Sequence, residues 1–584
     1  MYASAGQDGA ARQKQHIRHD EITPSKKKEM SQKQKGKRPE GDFVTRNSDK
    51  IAYVLTALTC LLTLLLFNVR LDQGGDDATY ICRALDLLDM GRYPDFQGPL
   101  YPIFLAPFIA IAGHASVVML KLTSTVLLVG SQLLFYYTLR GRIGTRTLLG
   151  AMTLLTVNSL YLSFGSLTYS EALYIVVQWL AVWAMLKAES AETRRKAVVC
   201  GVATGVLIVV LALIRTVGYG WAVAAVAYML IRRRWLTVGV VVGSVIVSLV
   251  VWTGIRRAVW GDVGSKSSQL TTLMQVDPYD ASKGEESLSG YVGRFVSNSD
   301  LYLSKHYVKM LGLRDKDSRE TNRLITIMLY ALYAWGTYRA MAKRNGAMTL
   351  MSIGCGVLLS MTYVSLQESW DQYRLIIPYV GMMNLVLLYG VSELVKKLWA
   401  GRERAVGGVL VTGLALLSAG QCLSRADMMT LRHNAHGDDL YGYTPDWYNY
   451  LSMCRAVGET MNDSSVYVAC RKPNMARIYA GGKKFQGIYT IPSQDADVLV
   501  EELRSRGVTH AILASLRRDP AQAGLGIINT MQRYMAPIHE AYPNSLTTVM
   551  MMGREDQEPA YLIRIDYEAI DAARRERTTT KTEE

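Results

Sequence analysis

The sequence predicts a polytopic α-helical membrane protein that ends in a soluble α/β domain, and three observations carry that fold class. Hydrophobic residues make up 49% of the 584 positions while 20% are charged, so the apolar content must be gathered in segments. Windows of about 18 to 22 residues almost free of charge recur between residues 51 and 423, the length a helix needs to cross the hydrocarbon layer. Beyond residue 424 the pattern changes to short alternating helix and strand signals.

Residues 1–48 are polar, basic and rich in Lys, Gln and Gly, which predicts a disordered cytoplasmic tail. The tail is too long and too polar for a signal peptide, so the first span is expected to stay as an anchor. The net charge of +15 is concentrated in this tail ("KKKEMSQKQKGKRPE") and in short loops such as "RGRIGTR", "ETRRK" and "IRRRW". That is the distribution of cytoplasmic loops in a multi-pass protein of the inner (plasma) membrane. No reading module accompanies the charge, so nucleic acid is not an expected partner. Anionic membrane lipid is the expected partner of the tail.

Placing each basic short loop inside then fixes the sides. The first span (51–69) delivers Asp76 outside, and "RGRIGTR" at 140–146 is inside, so one crossing lies between them. "ASVVMLKLTSTVLLVGSQLLFYYTL" has the length for it, which leaves the proline-rich "PLYPIFLAPFIAIAG" as a re-entrant or interfacial element. Further spans follow at 147–165, 168–187, 197–214, 216–231, 235–255, 324–342, 347–366, 375–394 and 405–423, about eleven crossings in all. The transmembrane domain is thus 49–423, with a first extracytoplasmic loop at 70–114 and a long one at 256–323. Arg256 and Arg257 face outside against the charge bias, which long loops obey poorly.

The extracytoplasmic α/β domain is expected over 424–570, followed by a polar tail at 571–584. "TPDWYNYLSMCRAVGETM" and "DVLVEELRSRG" are helical patterns, while "SVYVAC", "VTHAILASL" and "AYLIRIDY" are strand patterns. Four of the seven cysteines, Cys60, Cys200, Cys355 and Cys422, lie in apolar spans as small buried hydrophobes. No Cys/His spacing suggests zinc, and a disulfide between Cys454 and Cys470 is left open. "CRKPNMARIYAGGKKF" is either a strand and turn with a solvated charged face or a holder for an acidic or sugar acceptor.

Ionisable residues collect at one membrane face. In "DDATYICRALDLLDM", Tyr80, Ile81, Ala84, Leu85 and Leu88 share one helical face, and Asp76 and Asp77 stand at the start of this interfacial helix. Arg215 closes an apolar run of 18 residues that begins beside cytoplasmic "TRRK", so it lies roughly 27 Å away, at the outer interface. Glu171 opens a span from the same face, as do Glu368, Asp371 and Arg374 in "ESWDQYRLIIPY". Each has a local alternative: the acidic residues as helix caps, Arg215 as a snorkelling side chain, "DQYR" as a solvated turn. Together they suggest a shared site, because ionisable groups at membrane depth are costly. A carboxylate can take the proton of an acceptor hydroxyl, and an arginine can hold a phosphate through paired N–H donors. At an outer interface this fits transfer of a group from a lipid phosphate to a hydroxyl.

"DDATY" followed by "ALDLLDMGRYPDFQGPLYP" resembles the first extracytoplasmic loop of GT-C glycosyltransferases, in particular bacterial relatives of dolichyl-phosphate-mannose protein mannosyltransferases and of lipid A aminoarabinose transferases. Their loop reads Asp-Glu-x-x-Tyr, then Ala, a Gly-aromatic turn and a Pro-Leu-Tyr element. On that pattern Asp76 matches the catalytic Asp, Asp77 replaces Glu, Tyr80 matches the Tyr, and Gly91, Tyr93, Pro99, Leu100 and Tyr101 match the rest. "LIRTVG" at 213–218 is similar to the family's Leu-Thr-Arg-Pro-Gly without its Pro, "YSEAL" around Glu171 to another element, and "DQYRLIIP" to an Arg-Tyr element reversed here as Tyr373-Arg374.

The resemblance implies a GT-C-like fold and inverting transfer from a polyprenyl-phosphate sugar to a glycan, lipid or protein acceptor, metal-independent in many members. It implies Asp76 and Asp77 as the catalytic pair, Arg215 and Arg374 on the donor phosphate, and Tyr80, Tyr101, Glu171 and Asp371 as substrate-binding residues. No metal site or cofactor is assigned, and a divalent cation is left open. The alternatives are a glycan polymerase or ligase using a lipid-diphosphate donor, a lipid or sugar transporter, and a membrane-anchored binding protein.

Overall fold

The computed structural model describes residues 42–261, 273–277, 283–314, 320–367, 370–461, 463–517, 529–554 and 557–583. The expected tail lies outside them up to residue 41, as do Glu368 and parts of the loop 256–323. The segment ending at Ser48 forms its own unit, in which one helical turn, Phe43–Arg46, is capped by Asp42 accepting from the Thr45 N–H at 3.1 Å.

From Asp49 onward the chain is one body. Its membrane part contains α1 (Ser48–Leu65), α2 (Asp76–Met90), α3 (Leu100–Ala112), α4 (Val117–Leu139), α5 (Thr145–Thr156), α6 (Ser170–Glu189), α7 (Arg194–Ile214), α8 (Gly220–Ile231) and α9 (Trp235–Trp260). Then follow α10 (Leu288–Ser299), α11 (Arg323–Ala342), α12 (Gly346–Ser365), α13 (Val380–Leu398) and α14 (Glu403–Ser424). Among the described residues, eight helices are long and apolar enough to cross a membrane, or nine if α5 and the segment Ser159–Ser166, bent by 65°, make one span. The other two expected crossings are helical as well: Thr216–Ile231 is apolar but short, and α11 has 20 residues but is less apolar. The 13 residues of α3, about 20 Å of helix, do not reach across a hydrocarbon layer of about 30 Å.

Buried polar side chains staple the bundle, because an unpaired polar group in an apolar interior costs about 1–3 kcal/mol. Gln132 of α4 accepts from Thr59 of α1 at 2.5 Å and donates to Thr156 of α5 at 2.8 Å. Gln178 of α6 donates at 2.8 Å to the carbonyl of Pro378. That proline sits in the 3-10 segment Tyr373–Tyr379, where a ring without an N–H is tolerated and the chain tightens before α13. The same segment carries Arg374.

The C-terminal part contains α15 (Met428–Ala435), α16 (Pro445–Thr460), β1 (Val468–Cys470), α17 (Pro473–Tyr479), β2 (Phe485–Gly487), α18 (Ala496–Ser505) and β3 (His510–Leu513). It closes with α19 (Thr530–Ala541), β4 (Leu546–Met552), β5 (Ala560–Ile565) and α20 (Tyr567–Glu583), which runs through most of the expected polar tail. The sheet order is β2-β1-β3-β5-β4. β1 pairs in parallel with both β2 and β3, with Val468 opposite Phe485 and His510, while β5 runs antiparallel to β3 and β4. Strand alternation divides the core: Val468, Cys470 and Ile512 face α16 and α17, whereas Ala469 and Ala511 face α18 and α19. Cys454 and Cys470 are both buried and both free.

Candidate active site

Four chain segments bring their charged side chains to one end of the bundle. Asp76 opens α2, Glu171 opens α6, Arg215 follows α7, and Arg374 lies in the turn before α13. Arg374 Nη1 is 2.6 Å from Asp76 Oδ2, and its Nε is 4.0 Å from Glu171 Oε1. Arg215 Nη1 is 2.5 Å from Glu171 Oε1 and 3.2 Å from the Ser170 hydroxyl. The cluster alternates carboxylate and guanidinium and is charge-balanced, the arrangement that makes buried charge tolerable. Glu171 is enclosed, at 1% side-chain exposure, whereas Asp76 retains 28%.

The backbone that presents Asp76 is constrained from both sides. Gly75, at φ +87°, turns the chain into α2 in the left-handed region, where a side chain would be strained. Gly98 lies against the carbonyls of Leu213 and Ile214, so close that a Cβ would overlap them, and this contact joins the "GPLYP" turn to the residues before Arg215. Tyr169 lies under the Arg374 guanidinium, 5.0 Å from ring centre to Cζ, and its hydroxyl donates to Asp72 at 2.6 Å.

The two adjacent aspartates part company. Asp77 is fully buried, accepting from the Asp72 N–H at 2.8 Å and from the Ala78 N–H at 2.7 Å. Burial pushes its carboxyl well above the usual carboxylate range, against the opposing pull of Lys121. Lys121, itself buried, donates to the carbonyls of Asn68 and Arg70. Asp77 is thereby an anchor for the turn, and Asp76 alone of the pair faces the arginines.

Tyr80 donates to Gln97 at 2.8 Å, and its hydroxyl is 3.1 Å from that of Ser170. Tyr101 packs edge-on against it, with ring centres 4.8 Å apart, and is buried. Burial raises the phenol of Tyr80, and the hydroxyls of Tyr80 and Tyr169 both act as hydrogen-bond donors. Asp371 is not in the cluster: its carboxylate turns to Lys305 and, at 2.7 Å, to His306 Nε2, both in the π-helical stretch Asp300–Tyr307. Among the described residues, no three His, Cys, Asp or Glu side chains converge as a metal site would require, and Asp76 and Glu171 are each engaged by an arginine.

Several participants were not singled out in the sequence: Ser170, Gln97, Tyr169, Asp72 and Lys121, while Lys305 and His306 hold Asp371 away from the cluster. Tyr169 and Ser170 stand inside "YSEAL" beside Glu171, and Gln97 inside "DFQGPLYP", which are local signals; Asp72 and Lys121 are brought in only by tertiary packing. The stretch "CRKPNMARIYAGGKKF" runs from the end of β1 to the start of β2, and its middle is a helix, α17, packed on α2, where a strand and turn with a solvated face was expected; only the turn after it is exposed. Arg477 is 2.6 Å from Asp86 and 3.3 Å from Asp89.

No family model and no curated protein matches this sequence. Among solved structures, ArnT from Cupriavidus metallidurans bound to undecaprenyl phosphate is similar at a TM-score of 0.52 and 11% identity, over 87% of this chain and 97% of that one. The apo state of the same protein gives 0.51 and 12% over the same shares. The Archaeoglobus fulgidus oligosaccharyltransferase, in complex with Zn and sulfate, aligns over 79% of this chain and 68% of that one at 0.48 and 13%. Over most of its length the chain therefore shares the fold of ArnT, a GT-C fold.

Proposed function

We propose that the chain is a membrane glycosyltransferase that moves a sugar from a polyprenyl-phosphate donor to a hydroxyl on a glycolipid, glycan or protein, at the extracytoplasmic face of the inner membrane. The convergence of Asp76, Arg374, Glu171 and Arg215 from four distant segments is the observation that carries this reading. The likeness to a structure bound to undecaprenyl phosphate supports the donor class.

In this reading Arg215 and Arg374 take the donor phosphate. Glu171 and Ser170 hold Arg215 in orientation, and the Tyr169 ring holds Arg374. The phosphate replaces Asp76 on Arg374, since two anions compete for one guanidinium, and Asp76 turns to the acceptor. Its carboxylate takes the hydroxyl proton while the oxygen attacks the anomeric carbon from the face opposite the phosphate. The bond from that carbon to the phosphate oxygen breaks, polyprenyl phosphate leaves with the electron pair, and the configuration inverts. The arginines stabilise the negative charge gathering on the leaving phosphate.

The test uses purified protein in lipid with a panel of polyprenyl-phosphate sugars and an envelope acceptor extract, comparing wild type with Asp76→Asn by mass spectrometry. Transfer by the wild type that is lost in the folded variant is the expected result. Transfer unchanged in the variant removes Asp76 as the base, and no transfer by either protein turns the reading towards a lipid-diphosphate donor or transport.

A further inference from the structure

The C-terminal sheet is doubly wound around β1. The connection from β1 to β2 passes through α17 on one face, and the return from β2 to β3, on the other side of β1, passes through α18 on the opposite face. Strand order therefore reverses between β1 and β3, and the crevice beyond their carboxyl ends is where open α/β sheets take their ligands. Here the end of β1 is followed two residues later by Lys472, and its ammonium is occupied by the protein's own first loop. Lys472 Nζ donates to the carbonyl of Gln73 at 2.9 Å and to that of Gly74 at 3.0 Å. Those are the two peptide units immediately before Gly75 and Asp76.

Neighbouring contacts run the length of the same loop. Asn474 Nδ2 donates to Thr79 Oγ1 at 2.9 Å, the Tyr443 hydroxyl donates to the Leu71 carbonyl at 2.6 Å, and Arg477 bridges to Asp86 and Asp89. We infer that the C-terminal domain is a positioning module, in which Lys472 holds the turn that sets Asp76 opposite Arg374. The inference rests on Asp76 being the catalytic base. In this inference Lys472 acts through the 73–76 backbone, where two successive glycines, Gly74 and the left-handed Gly75, lead into the helix. A charge-assisted pair of hydrogen bonds to two successive carbonyls restricts that turn more than a neutral contact would.

The experiment compares wild type, K472M and K472R, each full length in lipid nanodiscs, by two measurements. The first is amide hydrogen exchange over residues 72–80, with 496–505 in α18 as an internal control for folding of the domain. The second is transfer from a polyprenyl-phosphate sugar, resolved into kcat and donor KM. K472M is expected to raise exchange over 72–80 and to lower kcat, each about tenfold, as loss of one charge-assisted contact would. Donor KM and exchange over 496–505 should stay unchanged, and K472R should recover most of both effects. Exchange over 72–80 that K472M leaves unchanged overturns the inference, and so does faster exchange with kcat intact. A rise in exchange in a preparation where even the wild type transfers no sugar keeps Lys472 as the clamp of the loop but rejects the transferase reading beneath it.

Discussion

Arg374 and Asp76, at opposite ends of the membrane part of the chain, stand 2.6 Å apart, while Asp77, the immediate neighbour of Asp76, points into the protein and is held by backbone N–H groups. Two carboxylates adjacent in sequence thus stand in separate surroundings: one stays partly exposed beside an arginine, the other anchors the turn that presents it.

Removing the Asp76 charge should separate chemistry from binding. Asp76→Asn is expected to lower transfer about 10²–10⁴-fold, the usual contribution of a positioned general base. The same substitution leaves Arg374 without its carboxylate, so polyprenyl phosphate alone should bind about fivefold tighter, the equivalent of roughly 1 kcal/mol for a partly exposed ion pair. Titration of the lipid phosphate against both proteins checks this, and equal or weaker binding by the variant contradicts the exchange of Asp76 for phosphate.

Glu171 and Arg215 form the most enclosed pair of the cluster, at 1% and 11% side-chain exposure. Glu171→Gln strands a buried guanidinium and is expected to cost about 3–5 kcal/mol, seen as a lowered thermal midpoint. Arg215→Gln on top of it should cost less than the sum of the two single changes, because the second change removes the stranded charge.

At Gly98 a methyl group has nowhere to go, since it would overlap the carbonyls of Leu213 and Ile214. Gly98→Ala should destabilise the protein by about 1–3 kcal/mol, the range for overpacking a closed site. It should also weaken phosphate-lipid binding by displacing the loop from Arg215. A variant with wild-type melting and wild-type lipid binding contradicts this contact.

His306 predicts an acid limit to stability. Burial holds its imidazole down at about 4, below the ordinary 6.5, with Asp371 pulling upward and Lys305 and Lys309 adding to the depression. The unfolded chain therefore takes up this proton first as the pH falls. The contribution of a neutral buried His306 is complete above pH 6.5 and is lost as the pH drops from 6.5 towards about 4, by at most about 3 kcal/mol. Thermal melts of His306→Gln across that range should show a shallower acid slope than wild type, and parallel slopes would count against it.

Much of the fold is legible in the sequence because desolvation of the peptide backbone forces apolar stretches of membrane length to be helices. All eleven expected segments are helical, the one over 147–165 broken by a 65° bend between α5 and Ser159–Ser166, where Asn158 caps the second helix. In the C-terminal domain the helices Pro445–Thr460 and Ala496–Ser505 and the strands β1, β3 and β5 fall where their periodicity puts them. The strand β2 has only three residues, too few for a period to show, and α17 is a seven-residue helix flanked by Arg471 and Lys472 on one side and by two glycines, Lys483 and Lys484 on the other, so its stretch resembles a solvated turn.

By itself the sequence determined that this chain crosses a membrane many times and that Asp76, Glu171, Arg215 and Arg374 belong to segments ending on one side, because the cost of burying charge and backbone in hydrocarbon acts along the chain and is written in local composition. Only the tertiary structure decided which carboxylate meets which arginine, that Asp77 turns inward, that Asp371 goes to Lys305 and His306, and that Lys472 of the C-terminal domain grips the turn before Asp76. Those outcomes depend on side-chain direction and on packing between elements hundreds of residues apart, where an ion pair forms only if geometry brings both partners within a few ångströms.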